Sequence, residues 1–450
     1  MTSERKQVEG AQQEECQPNT ESLGMVGEWP QKPFGEICEH SAFGPRFSGD
    51  LYETDGNVAT LRTTDIREDG RIECATMPRA RMDLSRFQQH ILQQDDLVIT
   101  RSGRVGTTAI FGGYHLPVLP GAFLIRFRLN RRLAEPQFYR YYFNSLTGQQ
   151  LIKSVATGSV QQNINITSVH RLQVPVPPLQ EQRVIAKFFG MLDDKIELNR
   201  KMNETLEAMA QALFRSWFVD FDPVLDKAEG HDHGLPAHIA ALFPDSFEDS
   251  ELGEIPTGWK VLPLDELARF LNGLALQKFP PKGDRFLPVI KISQLRAGDT
   301  TGADKASADL VAEYVVEDGD VLFSWSGSLE CVLWAGGRGA LNQHLFKVMS
   351  EKFPKWFYFL WIHWHLEDFR HIAAGKATTM GHIQRHHLTD AKVLVPPQEL
   401  LQAMSGFMQP IIESIWHRKV QSRTLAALRD MLLPKLISGE LRVPEAAGLT

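Results

Sequence analysis

Two stretches of this 450-residue chain, 219 positions apart, carry the same long pattern, and no other feature constrains its fold as much. Residues 175–217 read PVPPLQEQRVIAKFFGMLDDKIELNRKMNETLEAMAQALFRSW, and residues 394–436 read LVPPQELLQAMSGFMQPIIESIWHRKVQSRTLAALRDMLLPKL. After a shared Val-x-Pro-Pro or Val-Pro-Pro entry, the first copy keeps a beat of Ile185, Phe189, Leu192, Ile196, Asn199, Asn203, Leu206, Ala210, Leu213 and Trp217. The second keeps Met404, Met408, Ile411, Ile415, Arg418, Ser422, Leu425, Arg429, Leu432 and Leu436. Steps that alternate between four and three make the seam of a long coiled-coil-type helix. Both seams turn polar at the same place, Asn199/Asn203 and Arg418/Ser422, and polar seam positions fix register at a cost in stability. From Ile185 to Trp217 a straight helix spans roughly 50 Å. Pro410 and Pro434 each remove a helix hydrogen bond, which predicts a kink or late start near the first and an end near the second. Two helices of an ordinary bundle are the plainer reading; matched register after two globular stretches of similar length favours a paired-helix spacer. A chain with two such halves suits a target with two similar halves, and duplex DNA is one.

The chain length suggests two or three domains, and 43% apolar residues are enough to build real cores. The net charge of −7 looks wrong for a DNA binder, but it is unevenly placed. Residues 1–30 hold two basic and six acidic side chains, and residues 220–254 hold one and ten. The remainder is mildly basic, with 17 Lys/Arg against 13 Asp/Glu in residues 31–178, a balance that suits phosphate contact. Residues 1–26 are therefore expected to be a disordered acidic tail and residues 220–250 a solvated acidic linker. Cys16, Cys38, Cys74 and Cys331 lack metal-ligand spacing and read as reduced thiols of a cytoplasmic protein. No signal peptide or membrane span is expected; the aromatic run WFYFLWIHWHL is too short to cross a bilayer.

The repeat extends upstream of the helices. GEWPQKPFGEI (27–37) aligns with PTGWKVLPLDEL (256–267), placing Trp29 with Trp259. Asp96-Leu-Val-Ile-Thr-Arg-Ser-Gly103 aligns with Asp320-Val-Leu-Phe-Ser-Trp-Ser-Gly327: a turn acid, a short β run and a Ser-Gly loop. Pro136 and Pro354 each open an aromatic helix. These patterns predict two α/β (α+β) domains with mixed, twisted sheets, over residues 27–178 and 251–397, followed by helices over 179–219 and 398–438 and a tail over 439–450. Framework positions match between the copies while polar residues differ. Unit one offers Arg62, Arg67, Arg71, Arg79, Arg81, Arg101 and Arg104; unit two offers Lys278, Lys282, Lys291, Arg296, Arg338 and Lys376. Two domains on one framework with unlike surfaces would read two different sequences.

The string PVPPLQEQRVIAKFFGMLDDKIELNRKMNETLEAMAQALFRSWF resembles the central region of type I restriction–modification specificity subunits; LRDMLLPKLISGEL resembles their distal region, and GEIPTGWKVLPLDEL the entry to their second target-recognition domain. The second copy departs from the Pro-Pro-Leu-x-Glu-Gln pattern, reading Pro396-Pro-Gln-Glu-Leu400. The resemblance implies two target-recognition domains separated by two antiparallel helices in a pseudo-twofold repeat, each domain reading half of a split sequence in double-stranded DNA through the major groove. It further implies that the helices set the gap and dock two methyltransferase subunits, and that motor–nuclease subunits join them. S-adenosylmethionine, ATP and Mg would then be used by those partners, with no cofactor or metal held by this chain.

Chemistry of the chain's own is not legible. Gly375-Lys-Ala377 fails as a phosphate loop, and the Pro-Pro pairs lack the neighbours that an amino-methyltransferase motif needs. His231 and His233 flank Asp232 in a stretch that reads as linker. His363 and His365, two apart on a helix, do not share a face. His382, His386 and His387 precede the second helix, where base or phosphate contact competes with a plain loop. Gly158–Asn163 supplies Gln161, Gln162 and Asn163, side chains that pair with adenine or simply cap a turn. Arg101 and Arg104 flank a Ser-Gly turn able to approach phosphates; Trp325 replaces Arg101 in unit two and reads as packing. Rival readings are a helical protein-binding scaffold, the detachable recognition part of a single-chain restriction–methylation enzyme, and an enzyme whose site is not visible in the sequence.

Overall fold

The structure, a computed structural model of the chain, describes residues 29–158, 162–232, 234–375 and 381–442. The acidic tail, most of the C-terminal tail, Gln161, His233 and Lys376 lie outside the described residues. The chain divides into two units, residues 1–189 with 430–450, and residues 190–429.

In the first unit, runs rich in Val, Ile, Leu and Phe form a four-stranded antiparallel sheet from β1 (Cys38–Phe43), β2 (Leu97–Thr100), β3 (Thr108–Ile110) and β4 (Leu124–Leu129). The order is β1-β4-β2-β3, with Thr100 opposite Leu124 and Phe43 opposite Ile125. A smaller sheet pairs Val58–Leu61 parallel to Val118–Pro120 and antiparallel to Arg79–Ala80. The mixed sheet expected from sequence is thus split between two sheets, one antiparallel and one mixed. Every residue of β2 is buried, which explains why it reads as a continuous apolar run and not an alternating one. Phe34 fills the gap between sheet and helix, 5.2 Å from the Phe127 ring and 5.0 Å from that of Phe143 on the Pro136–Asn144 helix.

The second unit repeats this plan. Strands β5 (Arg269–Asn272), β6 (Val321–Ser324), β7 (Cys331–Leu333) and β8 (Leu345–Met349) take the order β5-β8-β6-β7. Ser324 faces Leu345 and Asn272 faces Phe346, the registers found in the first unit. A smaller sheet again holds a parallel pair, Val289 and Ile290 beside Ala340 and Leu341. The turn acids do the same work in both. Asp96 accepts the Gln93 amide at 2.8 Å and a two-pronged ion pair from Arg128, both contacts at 2.8 Å. Asp320 accepts the Glu317 amide at 2.8 Å and pairs with Lys347 at 2.7 Å. The residue before each acid is left-handed, Asp95 at φ 69° and Gly319 at φ 89°.

Two long helices follow the Pro-Pro pairs, α1 (Leu179–Phe218, 40 residues) and α2 (Gln398–Ser438, 41 residues). At about 1.5 Å per residue each is roughly 60 Å long. The late start considered near Pro410 does not occur, since α2 begins at Gln398 and runs through that proline; it ends at Ser438, four residues past Pro434. Both prolines are exposed, so the carbonyls they leave unbonded can turn to solvent while the opposite face stays packed. Within residues 190–429 the helices pair antiparallel: Asp193 with Arg429 (2.9 Å), Asn199 with Gln421 (2.8 Å) and Ser422 (3.2 Å), Glu207 with Lys419 (3.0 Å), and the Trp217 ring 6.4 Å from Phe407.

The acidic stretch 220–250 is not a solvated linker. It folds as helices Asp222–Glu229 and Ala237–Ala240 and the strand Phe247–Ser250. Val224, Ile239 and Phe243 are buried in the core that also takes Phe214, Phe218, Trp259, Trp356 and Trp361. Its acids face outward while its few apolar residues dock, a split that average composition conceals.

The aligned tryptophans have equivalent seats. Trp259 packs 5.4 Å from Phe218 in the last turn of α1. Trp29 is buried, and its indole N–H donates to Leu436 O in the last turn of α2 at 3.4 Å. Gly439, at φ 84°, closes α2 so tightly that a Cβ there would lie 3.0 Å from the Trp29 ring. Gly439→Ala would combine that clash with a strained backbone and is expected to lower stability by about 1–2 kcal/mol. A urea-melt midpoint unchanged from wild type would contradict this seat.

His363 is half-buried, and its pKa is pushed down to about 4, first by desolvation, with Lys419 and Arg370 adding to the effect and a hydrogen bond with the Cys331 backbone and the charge of Glu207 opposing it. The folded state therefore holds His363 neutral, whereas the unfolded state protonates it near pH 6.5. Stability contributed by neutral His363 is present above pH 6.5 and is lost as pH falls toward 4, on the order of 3 kcal/mol in all. His40, His170 and His365 are shifted in the same direction. Thermal midpoints should fall over this window, and His363→Gln should flatten part of the fall; a pH profile identical in wild type and variant would remove His363 as a cause.

Candidate nucleic-acid interface

Each large sheet ends in a structurally equivalent tip. β2 leads into Arg101-Ser102-Gly103, and β6 leads into Trp325-Ser326-Gly327. The glycines are left-handed, at φ 78° and 67°, which lets the chain reverse without a Cβ clash. Ser102 bridges Asn163, and Ser326 bridges His382. The Arg101 amide donates to Phe123 O at 2.8 Å and its carbonyl accepts Ile164 N at 3.1 Å; Trp325 repeats this with His344 O at 3.4 Å and Ile383 N at 3.0 Å. Phe43 and Asn272 occupy matching places at the ends of edge strands β1 and β5.

On this shared frame the side chains around the conserved Ser-Gly turn differ. In the first unit the Arg101 guanidinium lies over the Phe43 ring, with Cζ 4.5 Å from its centroid, and Nε donates to Asn163 Oδ1 at 3.1 Å. In the second unit the Trp325 indole N–H donates to Asn272 Oδ1 at 3.0 Å and to Gln343 O at 3.2 Å, with His344 and His382 beside the ring. Trp325 is thus both packed and hydrogen-bonded, with its one donor used. Thr157 and Asn163 exchange backbone hydrogen bonds at 2.9 Å each way, and Gln162 beside them is exposed.

Most of the other cations singled out from the sequence carry a carboxylate partner. Arg62 grips the buried Asp65 with both Nε (3.0 Å) and Nη2 (2.7 Å), and that hydrogen-bonded pair raises its pKa. Arg67 pairs with Glu73 (3.3 Å), Arg71 with Asp69 (3.5 Å), Arg81 with Glu53 (2.6 Å) and Arg104 with Glu68 (3.2 Å). In the second unit Lys291 pairs with Asp304, and Arg338 with Glu317 at 3.0 Å. Arg79, Lys278, Lys282 and Arg296 have no side-chain partner among the described residues, and all but the half-buried Arg79 are exposed. His386 and His387 lie on the short helix Arg385–Asp390, where His387 Nδ1 accepts the Gln384 amide at 2.9 Å. His365 bonds Lys392 O at 2.9 Å, and exposed His231 sits 3.2 Å from Glu229. Among the described residues no group of three His, Cys, Asp or Glu could hold a metal, and no helix is long and apolar enough to cross a membrane.

Of the seam positions, Ile185, Phe189, Asn199, Asn203 and Ile415 are buried; Leu192, Ile196, Leu206, Leu213, Ile411, Arg418, Ser422, Leu425 and Leu432 are half-buried. On α2 Ile412 is more deeply buried than Ile411. Sequence reasoning missed Arg423, which joins α2 to the second domain. It binds Asp318 through Nη1 (2.8 Å) and Nη2 (2.7 Å) and also donates to Ala335 O. Burial alone would raise the Asp318 carboxyl; hydrogen bonds from Arg423 and the Gly337 amide hold it below the usual range. Gln94 and Glu204 stand at the aligned positions of the first copy, so this clamp has no repeat counterpart.

With this geometry in place, comparison with known proteins is decisive. Residues 27–208 and 256–421 each match the type I restriction modification DNA specificity domain. The chain belongs to that family. It holds two copies of the specificity domain, each made of one sheet-bearing domain and most of the helix that follows. The type I restriction enzyme MjaIX specificity subunit of Methanocaldococcus jannaschii is 27% identical over 323 residues, 69% of this chain and 70% of that protein. The HindI specificity subunit of Haemophilus influenzae is 23% identical over 484 aligned positions, 92% of this chain and all of the relative. The solved structure of a type I restriction–modification S subunit from M. genitalium matches with a TM-score of 0.58 at 14% identity, covering 92% of this chain and 97% of that one; it shares the fold.

Arg423→Ala would leave Asp318 without its charged partner. Loss of the paired bonds is expected to cost about 1–3 kcal/mol, read as a lower denaturation midpoint, with the exchange Arg423→Asp plus Asp318→Arg recovering part of it. Equal melting of wild type and Arg423→Ala would show the clamp to be energetically idle.

Proposed function

We propose that this chain is the DNA-recognition subunit of a type I restriction–modification complex, each domain reading one half of a bipartite sequence while catalysis resides in partner subunits. The observation that carries this reading is the pair of tips: one backbone frame, with Arg101, Phe43 and Asn163 on the first and Trp325, Asn272 and His382 on the second. A catalytic site repeated in one chain keeps its side chains, whereas two readers of unlike half-sites must differ where they meet base edges and agree in the framework. Protein scaffolding alone gives no reason for that divergence. In this reading DNA is bound by exposed cations and loop amides, and helices of fixed length and register set the gap between half-sites.

The methyltransferase partners are assigned to the outer face of α1. Met191, Leu198, Met202 and Met209 are 47%, 50%, 36% and 48% exposed. Their steps of seven, four and seven place them on one helix face, and such an exposed apolar stripe marks a docking surface for apolar partner helices. In this assembly S-adenosylmethionine belongs to the methyltransferase, and ATP and Mg to the motor–nuclease.

Exchanging residues 31–170 with those of a relative of different specificity should change only one half of the methylated sequence; a change in both halves, or in neither, would defeat the modular reading. Leu198→Glu with Met202→Glu should weaken association with the methyltransferase at least tenfold while leaving the thermal midpoint within about a degree or two, since the positions are exposed. Undiminished assembly of that variant would assign docking elsewhere.

A further inference from the structure

The first tip holds one guanidinium prepared for a flat partner with two acceptors. Arg101 Nε is taken by Asn163 Oδ1 at 3.1 Å, and its plane rests on Phe43 at 4.5 Å. Its peptide N–H and C=O are fixed by Phe123 O and Ile164 N. Nη1 and Nη2 make no hydrogen bond or ion pair among the described residues, whereas Arg62, Arg67 and Arg104 each hold a carboxylate through a terminal nitrogen. A guanidinium with one edge and one face already used has lost most of its rotational freedom, so little remains to be lost when the open fork binds.

We propose that Arg101 is a specificity-determining residue that reads one guanine of the first half-site, its two terminal nitrogens donating to O6 and N7, with Phe43 and Asn163 as positioning residues. The major-groove edge of guanine presents two acceptors side by side, which matches the fork; adenine places a donor beside N7, and the pyrimidines offer no such pair. The second domain lacks the device: Trp325 has a single N–H, already donated to Asn272 and Gln343. The two half-sites therefore differ at this tip in kind, guanine being read by a fork in the first alone. This rests on the chain being the DNA-recognition subunit proposed above. A backbone phosphate also offers two acceptors, and the test is built to separate the two.

The test maps methylated adenines genome-wide in cells carrying the full chain with its methyltransferase partner, in wild type, Arg101→Lys, Arg101→Ala, Phe43→Leu and Phe43→Tyr. The wild-type motif is expected to contain a guanine in the half set by the first domain. Arg101→Ala and Arg101→Lys should both relax that one position, losing roughly 10- to 100-fold of discrimination, with every other position kept. Lysine keeps the charge but not the fork. Phe43→Leu should relax the same position to a smaller degree, and Phe43→Tyr, which restores the aromatic face, should not. If Arg101→Lys keeps the wild-type motif and Arg101→Ala lowers methylation evenly at all sites, the contact is to phosphate and the proposal fails. A first half-site without guanine also overturns it. A split motif indifferent to Arg101 overturns this proposal alone, whereas a wild-type chain that directs no split motif overturns the subunit reading and this proposal with it.

Discussion

The interaction on which the helix pair depends is a short polar break in an apolar seam. Asn199 and Asn203 are buried on α1, and their amide groups donate across to Gln421, Ser422 and the Ile415 carbonyl of α2. Burying an amide without partners costs about 1–3 kcal/mol, so an apolar pair of helices would be the more stable object. The amides instead make one register better than its neighbours, because a slip of a single turn breaks the bonds to Gln421, Ser422 and the Ile415 carbonyl. Asp193–Arg429 and Glu207–Lys419 reinforce that register from either side. The exposed Glu207–Lys419 pair adds little energy, Asp193 is buried beneath Arg429, and both pairs repel misaligned pairings. A spacer with one permitted register is what converts helix length into a fixed dimension.

On that spacer the chain has kept framework and released surface. Asp96 and Asp320 close the same turn, pair with a cation on the same neighbouring strand and follow a left-handed residue. Trp29 and Trp259 seat the last turns of α2 and α1. Where the copies differ, the difference has a local cause. Gln182 is fully buried and satisfied, accepting Glu135 N and donating to the Leu133 and Pro177 carbonyls. At the aligned position Leu401 packs into the aromatic core, which accounts for the lost Pro-Pro-Leu-x-Glu-Gln pattern in the second copy. The tips are the opposite case, with the backbone kept and the chemistry exchanged.

What could be read from the sequence was what repeats or is periodic. The seam, its polar break, the Pro-Pro entries and the aligned tryptophans needed only spacing. The fold of residues 220–250 was hidden because Val224, Ile239 and Phe243 are isolated among acids and acquire their burial only from distant aromatics. Helix α2 passes Pro410 and Pro434 because tertiary packing outweighs two lost backbone bonds, a balance that no local rule contains. The tip residues Phe43, Asn272 and His344 were missed since their adjacency to Arg101 and Trp325 depends on strand register. Several arginines looked free only because their partners, such as Glu53 for Arg81 or Glu68 for Arg104, are supplied by loops far along the chain.

In the proposed function two unlike readers act at one fixed separation. Selection of bound duplexes from a random-sequence pool, using the full chain with its methyltransferase partner, tests it most directly. The expected outcome is two short blocks of defined and different sequence, separated by an undefined stretch of constant length. A single continuous block, two identical blocks, or two blocks whose separation varies from clone to clone would contradict it.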